Sequence, residues 1–278
     1  MNWCNTSSFF LKQSYILLGG FMVKLGDYVT RKSYNNDIVF RIIDIKENNS
    51  ILYGVCVRLM ADSPIDDLVV CDKNVEEDDN FGRDLMEYEV LNRNDFFYLP
   101  GKVLHIDGDK DFLDRCMKFY KKNRIKAFGF YLSEIDLPEN VYNFLKKYNP
   151  DILVITGHDA LYRKKKNNND YKNTDCFVKA VREARRFEKS HEKLIIIAGA
   201  CQSNYEELIK AGANFASSPK RINIHALDPA IIATSLSFSD KNQKIDLINI
   251  LSKTKYGSDG IGGIITKGTM YVGFPRNK

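Results

Sequence analysis

The sequence contains few of the residues on which several common protein classes depend. Among 278 residues there are only four histidines and six cysteines. The cysteines form no CxxC pair, so the spacing that is typical of a structural zinc site is missing. They are also too sparse in a chain of this length for a disulfide framework, and most are expected to be small buried residues in a reducing compartment. Neither a metal nor a cofactor is predicted.

Long apolar runs and a strong charge of one sign are missing as well. No run reaches the roughly 18 apolar residues that a membrane span needs. The net charge of +5, from 41 basic and 36 acidic residues, is too small to indicate a nucleic-acid partner. The composition, 44% hydrophobic and 28% charged, excludes a disordered or collagen-like chain. A globular protein with neither a membrane nor a nucleic-acid partner is therefore expected.

Residues 1–21 fit poorly with the sequence that follows. Met1 to Ser8 carries no basic residue, and the apolar stretch from Phe9 to Val23 includes Lys12 and lacks a small-residue cleavage site. These features argue against a secretory signal. We expect Met22 to be the natural start and residues 1–21 to be an upstream or non-native extension, the alternative being a targeting segment. A start at Met22 predicts a cytoplasmic protein.

The chain then divides into three parts of different composition. Residues 22–71 hold short β-rich runs separated by polar turns, which predicts a small SH3-like β-barrel that either binds substrate or only packs on a neighbour. Residues 72–98 are acidic, with nine acids against three bases from Asp72 to Phe97, and are interpreted as a linker. Residues 99–278 form the predicted catalytic domain.

That third part has the pattern of an α/β domain. Apolar runs such as Ile152 to Thr156 and Leu194 to Ala198 alternate with amphipathic helical segments. Strands that are apolar on both faces predict a mostly parallel sheet covered by helices on both sides. Gly262 to Gly273 is interpreted as a closing β-hairpin.

Reactive side chains follow the predicted strands of this sheet. His158 comes just after Ile152–Thr156, and Cys201 comes just after Leu194–Ala198. Neighbouring parallel strands end at one edge of the sheet, where function gathers, so the imidazole and the thiol are expected to meet there. The imidazole favours the thiolate, which attacks a carbonyl. The same imidazole then protonates the leaving amine.

Each residue of this dyad also has a structural alternative. A lone cysteine after a strand is commonly a buried spacer. Of the other histidines, His105 lies within a predicted strand and is expected in the core, His191 lies in a charged loop, and His225 precedes a turn. The oxyanion that forms during attack needs backbone N–H donors, which we assign to Cys201 and Asp159.

Several motifs carry a resemblance to known peptidases. The order of features resembles that of the caspase, gingipain and clostripain clan: a strand, a His, about forty residues, a second strand and Ala-Cys. In that clan a glycine follows the His, whereas Gly157 here precedes it. Longer motifs in order resemble the YabG family of sporulation-specific proteases: Pro100 to Asp109, Pro150 to Ala160, Ala198 to Ser203 and Ala211 to Pro219.

The resemblance implies a caspase-like cysteine endopeptidase of sporulating bacteria. It implies cleavage of spore coat and related proteins after arginine, with Cys201 as nucleophile and His158 as base, in the mother cell at the developing coat. Binding of arginine needs a carboxylate, because a buried guanidinium must be paired. Asp107 and Asp109, after the first strand of the α/β part, are our predicted substrate-binding residues, and capping of the next helix is the alternative.

Two other functions stay open at this point. A Cys-dependent amidase or amidotransferase also places a cysteine after a strand, but Gly199 to Ser203 lacks the second glycine of a G-x-C-x-G elbow. A non-enzymatic coat-assembly protein predicts that Cys201 is dispensable.

Overall fold

The computed structural model describes residues 16–18, 21–71, 95–163 and 169–276. These residues fall into two compact units. The first holds the described residues up to Val55 and those from Met60 to Cys71, and the second holds Cys56–Leu59 and the described residues from 95 onward. Most of the predicted linker, and residues 1–15 and 19–20 of the predicted extension, lie outside the described ranges.

The first unit contains a five-stranded antiparallel sheet in the order β6-β5-β4-β3-β7. Its strands alternate buried and half-buried residues, as in β5, which is expected for a sheet with one face on a core. The predicted β structure of this part is confirmed, and its class as an SH3-like barrel stays a prediction. The strands are β1 (Ile16–Leu18), β2 (Phe21–Val23), β3 (Tyr28–Arg31), β4 (Phe40–Lys46), β5 (Asn49–Gly54), β6 (Met60–Pro64) and β7 (Leu68–Val70).

The second unit alternates strands and helices. Its elements are β8 (Phe97–Leu99), β9 (Val103–Asp107), α1 (Lys110–Lys122), β10 (Ala127–Tyr131), α2 (Leu137–Tyr148), β11 (Ile152–Thr156), β12 (Leu161–Arg163), β13 (Asn169–Tyr171), α3 (Thr174–Phe187), β14 (Ile195–Ala198), α4 (Tyr205–Ala211), β15 (Phe215–Ser217), α5 (Asp228–Phe238), α6 (Leu247–Ser252), α7 (Gly257–Gly260), β16 (Ile261–Gly263) and β17 (Tyr271–Gly273). No helix among the described residues is long and apolar enough to cross a membrane.

A six-stranded sheet forms the centre of this unit, in the order β10-β9-β11-β14-β15-β16. All neighbouring pairs are parallel except β15 with β16. Every residue of β9, β11 and β14 is buried, because α1, α5 and α6 cover one face of the sheet and α2, α3 and α4 cover the other. The predicted parallel sheet with helices on both faces is confirmed, and its caspase-like class stays a prediction.

The predicted closing hairpin is wrong. β16 pairs with β15, whereas β17 pairs with β8, so the two strands belong to different sheets. The backbone between them is bonded elsewhere: Ile264 donates to Asn214, Thr269 to Leu236 and Met270 to Ser239. Local pattern cannot predict this, since each strand is paired with a segment distant in sequence.

Candidate functional site

Three strands of the central sheet deliver polar loops to one edge. In register, Thr156 of β11 lies opposite Asp107 of β9, and Ile155 lies opposite Ala198 of β14. The carboxyl ends of these three neighbouring strands are therefore level with one another. Asp109, His158 and Cys201 follow their strands by two or three residues, so they belong to adjacent loops at this edge.

His158 is held by carboxylates at its ring and at its backbone. Its Nε2 lies 2.8 Å from Oδ2 of Asp109, and both side chains are nearly enclosed, with 15% and 10% of their surface exposed. Its backbone N–H donates to Oε1 of Glu134 at 2.7 Å. Gly108 and Gly157 leave the space for this carboxylate, because a Cβ at either position would lie within 2.4 Å of Oε1. The ring is thus fixed with Nε2 engaged by Asp109.

Asp109 also begins α1. Its Oδ1 accepts the backbone N–H of Phe112 at 3.0 Å, which is an N-cap bond. The helix-capping alternative considered from the sequence is therefore observed for this residue. Its second oxygen is directed to His158, a partner that sequence reasoning did not identify. The substrate-binding role predicted for Asp109 stays a prediction.

Asp107 lies beneath the site in a fully buried polar network. Both of its oxygens accept from Nη1 of Arg58, at 2.9 and 2.7 Å, and Oδ2 also accepts the hydroxyl of Thr156. The backbone N–H of Asp109 donates to Oδ1, so Asp107 also shapes the loop that carries Asp109. Burial raises the pKa of Asp107, but the charge of Arg58 and the hydrogen bonds outweigh burial and hold the pKa below its usual range.

Arg58 was not singled out in the sequence. It lies within an apolar run and belongs to the short segment Cys56–Leu59 of the second unit. Its guanidinium is completely buried, donates to the carbonyl of Ala226, and lies 4.9 Å from the ring of Phe112. A charged residue inside an apolar run is the one signal that could have identified it, because such a charge must be paired when buried.

Cys201 is fully buried. Its Sγ accepts the backbone N–H of Ile224 at 3.3 Å and lies 3.8 Å from the carbonyl oxygen of the same residue. Burial raises the pKa of the Cys201 thiol to about 12, against smaller opposing effects from the Ile224 hydrogen bond and from Arg58. The thiol is therefore protonated at neutral pH in this conformation.

Ser218–Ile224, which we call the cover segment, contacts the sulfur of Cys201 through Ile224. The segment also contacts Gln202, whose backbone N–H donates to the carbonyl of Ile222 and to Oγ of Ser218. Gln202, Ser218 and Arg221 all have left-handed backbone angles, with φ between 57° and 68°. Such conformations cost non-glycine residues about 1 kcal/mol or more each, and they cluster at functional sites.

The loops that carry His158 and Cys201 are bonded to each other. Asp159 is buried, and its Oδ2 accepts the hydroxyl of Ser203 at 2.9 Å as well as that of Thr174. The backbone N–H of Leu161 donates to the side chain of Gln202. The loop after β11 and the loop after β14 thus form one assembly. The oxyanion role predicted for the amides of Cys201 and Asp159 stays a prediction.

The remaining histidines have structural partners. His105 is buried between Tyr120 and Thr156, which confirms its predicted place in the core. His225 donates its backbone N–H to Asp228 and accepts that of Leu227, as expected for a residue of a turn. Within the described ranges, no three His, Cys, Asp or Glu side chains are grouped so as to hold a metal ion.

Comparison of the sequence with known proteins shows the family of this chain. Residues 24–275 match the family model described as YabG peptidase U57. The chain is 40% identical over 284 residues to the sporulation-specific protease YabG of Bacillus subtilis (strain 168), with 91% of this chain and 98% of that protein covered. No solved structure matches the chain. The chain belongs to the YabG family of peptidases.

Proposed function

We propose that this peptidase is a cysteine endopeptidase in which Cys201 is the nucleophile and His158 the general base and acid. Its substrates are proteins of the assembling spore coat and related spore proteins, cleaved after arginine in the mother cell. The single observation that supports the proposed site most directly is the joining of two adjacent loops. One follows β11 and carries His158, the other follows β14 and carries Cys201, and Asp159 bonds to Ser203 between them.

The chemistry follows from the engaged nitrogen of the imidazole. Asp109 occupies Nε2, so Nδ1 accepts the proton of the Cys201 thiol. The thiolate then forms a bond to the scissile carbonyl carbon, and the C–N bond breaks as His158 returns the proton to the leaving amine. Water hydrolyses the resulting thioester with the same histidine as base. We assign the stabilisation of the developing oxyanion to the backbone N–H groups of Cys201 and Asp159.

Attack requires the cover segment to move. Cys201 is fully buried under Ile224, and burial raises its pKa to about 12, so the conformation described is a resting one. Displacement of Ile224 removes part of the burial that disfavours the thiolate and gives a peptide access to the sulfur.

The test is cleavage of arginine-containing coat-protein fragments by four proteins: wild type, Cys201→Ala, His158→Ala and Cys176→Ala. We expect the first two variants to lose cleavage by about a thousandfold or more. Cys176 is a half-buried cysteine of α3 and serves as the matched control, which should retain activity. Mass spectrometry of trapped intermediates should find the acyl group on Cys201.

Cleavage retained in Cys201→Ala or His158→Ala, with folding verified by circular dichroism, contradicts the proposed dyad. Release of ammonia from small amides without any peptide cleavage favours an amidase. Normal coat assembly with the Cys201→Ala variant favours a non-enzymatic role.

A further inference from the structure

An arginine of the cover segment already occupies a site built for a guanidinium. Arg221 donates from Nε to the hydroxyl of Tyr171 at 3.0 Å and from Nη1 to the carbonyl of Ser218 at 3.1 Å. Its Nη2 is hydrogen-bonded and ion-paired with Oε2 of Glu206. All three nitrogens of the guanidinium thus have acceptors of suitable chemistry: a phenol, a carbonyl and a carboxylate.

The site is partly enclosed and lies in the loops around the proposed nucleophile. The side chain of Arg221 is 26% exposed, and that of Glu206 is 55% exposed. Glu206 lies in the first turn of α4, five residues after Cys201, and Tyr171 lies in the segment that follows His158. The three acceptors of the Arg221 guanidinium therefore come from both loops that carry the proposed dyad and from the cover segment.

The cover segment binds these loops through its backbone. Three residues beyond Arg221, Ile224 donates its N–H to the sulfur, and between them Ile222 accepts the N–H of Gln202. A substrate can reach Cys201 only when these contacts break. Arg221 is part of the same short segment, so its guanidinium site opens when the sulfur does.

We propose that Glu206, with Tyr171, forms the subsite that binds a basic side chain of the polypeptide substrate, and that Arg221 fills this subsite in the resting enzyme. The inference rests on the proposed function, since it needs Cys201 as nucleophile. Arginine is the preferred ligand because its planar fork can meet the Glu206 carboxylate and the Tyr171 phenol at once, whereas lysine presents a single ammonium. The carboxylate is thus Glu206, since Asp107 is engaged by Arg58 and Asp109 by His158.

The kinetic test uses peptides that differ only at the residue before the cleaved bond, which is arginine, lysine or norleucine. Wild type, Glu206→Gln and Glu207→Gln are compared. Glu207 is the neighbouring carboxylate of α4 and pairs with Lys210, so it is a matched control. We expect Glu206→Gln to lower kcat/KM for the arginine peptide relative to the norleucine peptide by about tenfold or more, mainly through the KM for the arginine peptide.

A second measurement tests binding at the subsite without catalysis. In the Cys201→Ala background, binding of a peptide that ends in arginine is measured by calorimetry. We expect Arg221→Gln to tighten binding by about tenfold because the resident guanidinium is gone, and Glu206→Gln to abolish that gain. Lys220→Gln, an exposed neighbour in the same segment, is the control and should have no effect.

The outcomes separate the two proposals. An unchanged ratio of arginine to norleucine cleavage in Glu206→Gln, or binding that Arg221→Gln does not tighten, overturns the subsite while the dyad stands. Full cleavage by Cys201→Ala overturns the dyad and, with it, the subsite beside Cys201. Wild-type cleavage of norleucine and arginine peptides at equal rates also overturns the subsite.

Discussion

Asp109 has two hydrogen-bonding tasks, and replacing it separates them. Its Oδ1 caps α1 at Phe112, and its Oδ2 holds Nε2 of His158. Asparagine keeps an oxygen for the cap but loses the negative charge beside the imidazole. A carboxylate that fixes the ring and stabilises the imidazolium is the usual partner of a catalytic histidine. We therefore regard Asp109 as a positioning residue.

We expect Asp109→Asn to lower kcat by about 100-fold with little change in KM. The free energy of unfolding should change by less than about 1 kcal/mol, since the cap survives. Steady-state kinetics and urea unfolding check these points, with Asp111→Asn in the same helical turn as the control.

A different result would favour the role predicted from the sequence. If Asp109 binds substrate, the variant should raise KM for arginine peptides and leave kcat unchanged. The sequence could place Asp109 at the right edge of the sheet because it directly follows an apolar strand. It could not predict the contact with His158, since that contact joins loops 49 residues apart.

At the scale of elements, the cover segment decides whether Cys201 can react. The hydroxyl of Ser218 donates to the carbonyl of Ile222 and its oxygen accepts the N–H of Gln202, so this side chain ties the segment to the loop after β14. Ser217 is the matched neighbour: it is equally buried, and its Oγ has no hydrogen-bond partner among the described residues.

We expect Ser218→Ala to loosen the segment and raise the rate at which iodoacetamide labels Cys201 by about fivefold, because about 1 kcal/mol of hydrogen bonding is removed. Ser217→Ala should leave that rate unchanged. Labelling is followed by mass spectrometry of the peptide that contains Cys201, since other cysteines also react. Equal labelling of the two variants and of wild type would show that Ser218 does not hold the segment closed.

The elements themselves were largely predictable, whereas their non-local pairing was not. β9, β11 and β14 are continuous apolar runs, and this local pattern is enough to predict a parallel sheet covered on both faces. The strand pairs β15–β16 and β17–β8 depend on which edges are free in three dimensions, and no local pattern records that. The same applies to the cover segment, whose contact with Cys201 spans 23 residues of chain.

At the scale of the whole molecule, the second unit depends on a segment that precedes most of it in the chain. Cys56–Leu59 pairs with His225 and Ala226, and it supplies Arg58 as the partner of Asp107. Sequence reasoning worked with contiguous stretches and had no means of linking a four-residue segment to strand ends 49 and more residues away. The buried charge of Asp107 is therefore compensated only when the chain before residue 95 is present.

We expect Arg58→Met to destabilise the second unit by about 3–5 kcal/mol, because it leaves the carboxylate of Asp107 buried without its cation. Adding Asp107→Asn should recover much of this loss, since a neutral amide needs no counter-charge. Hydrogen exchange of the β9 and β11 amides, with urea unfolding, measures both effects, and Arg182→Met on the exposed face of α3 is the control. Lowering the pH should also lower the free energy of unfolding of the wild type. The pKa of Asp107 lies below its usual range, so the stability it contributes is present above about pH 4 and is lost as the pH falls further. A double variant no more stable than Arg58→Met would show that the guanidinium acts through packing on Phe112 rather than through its charge.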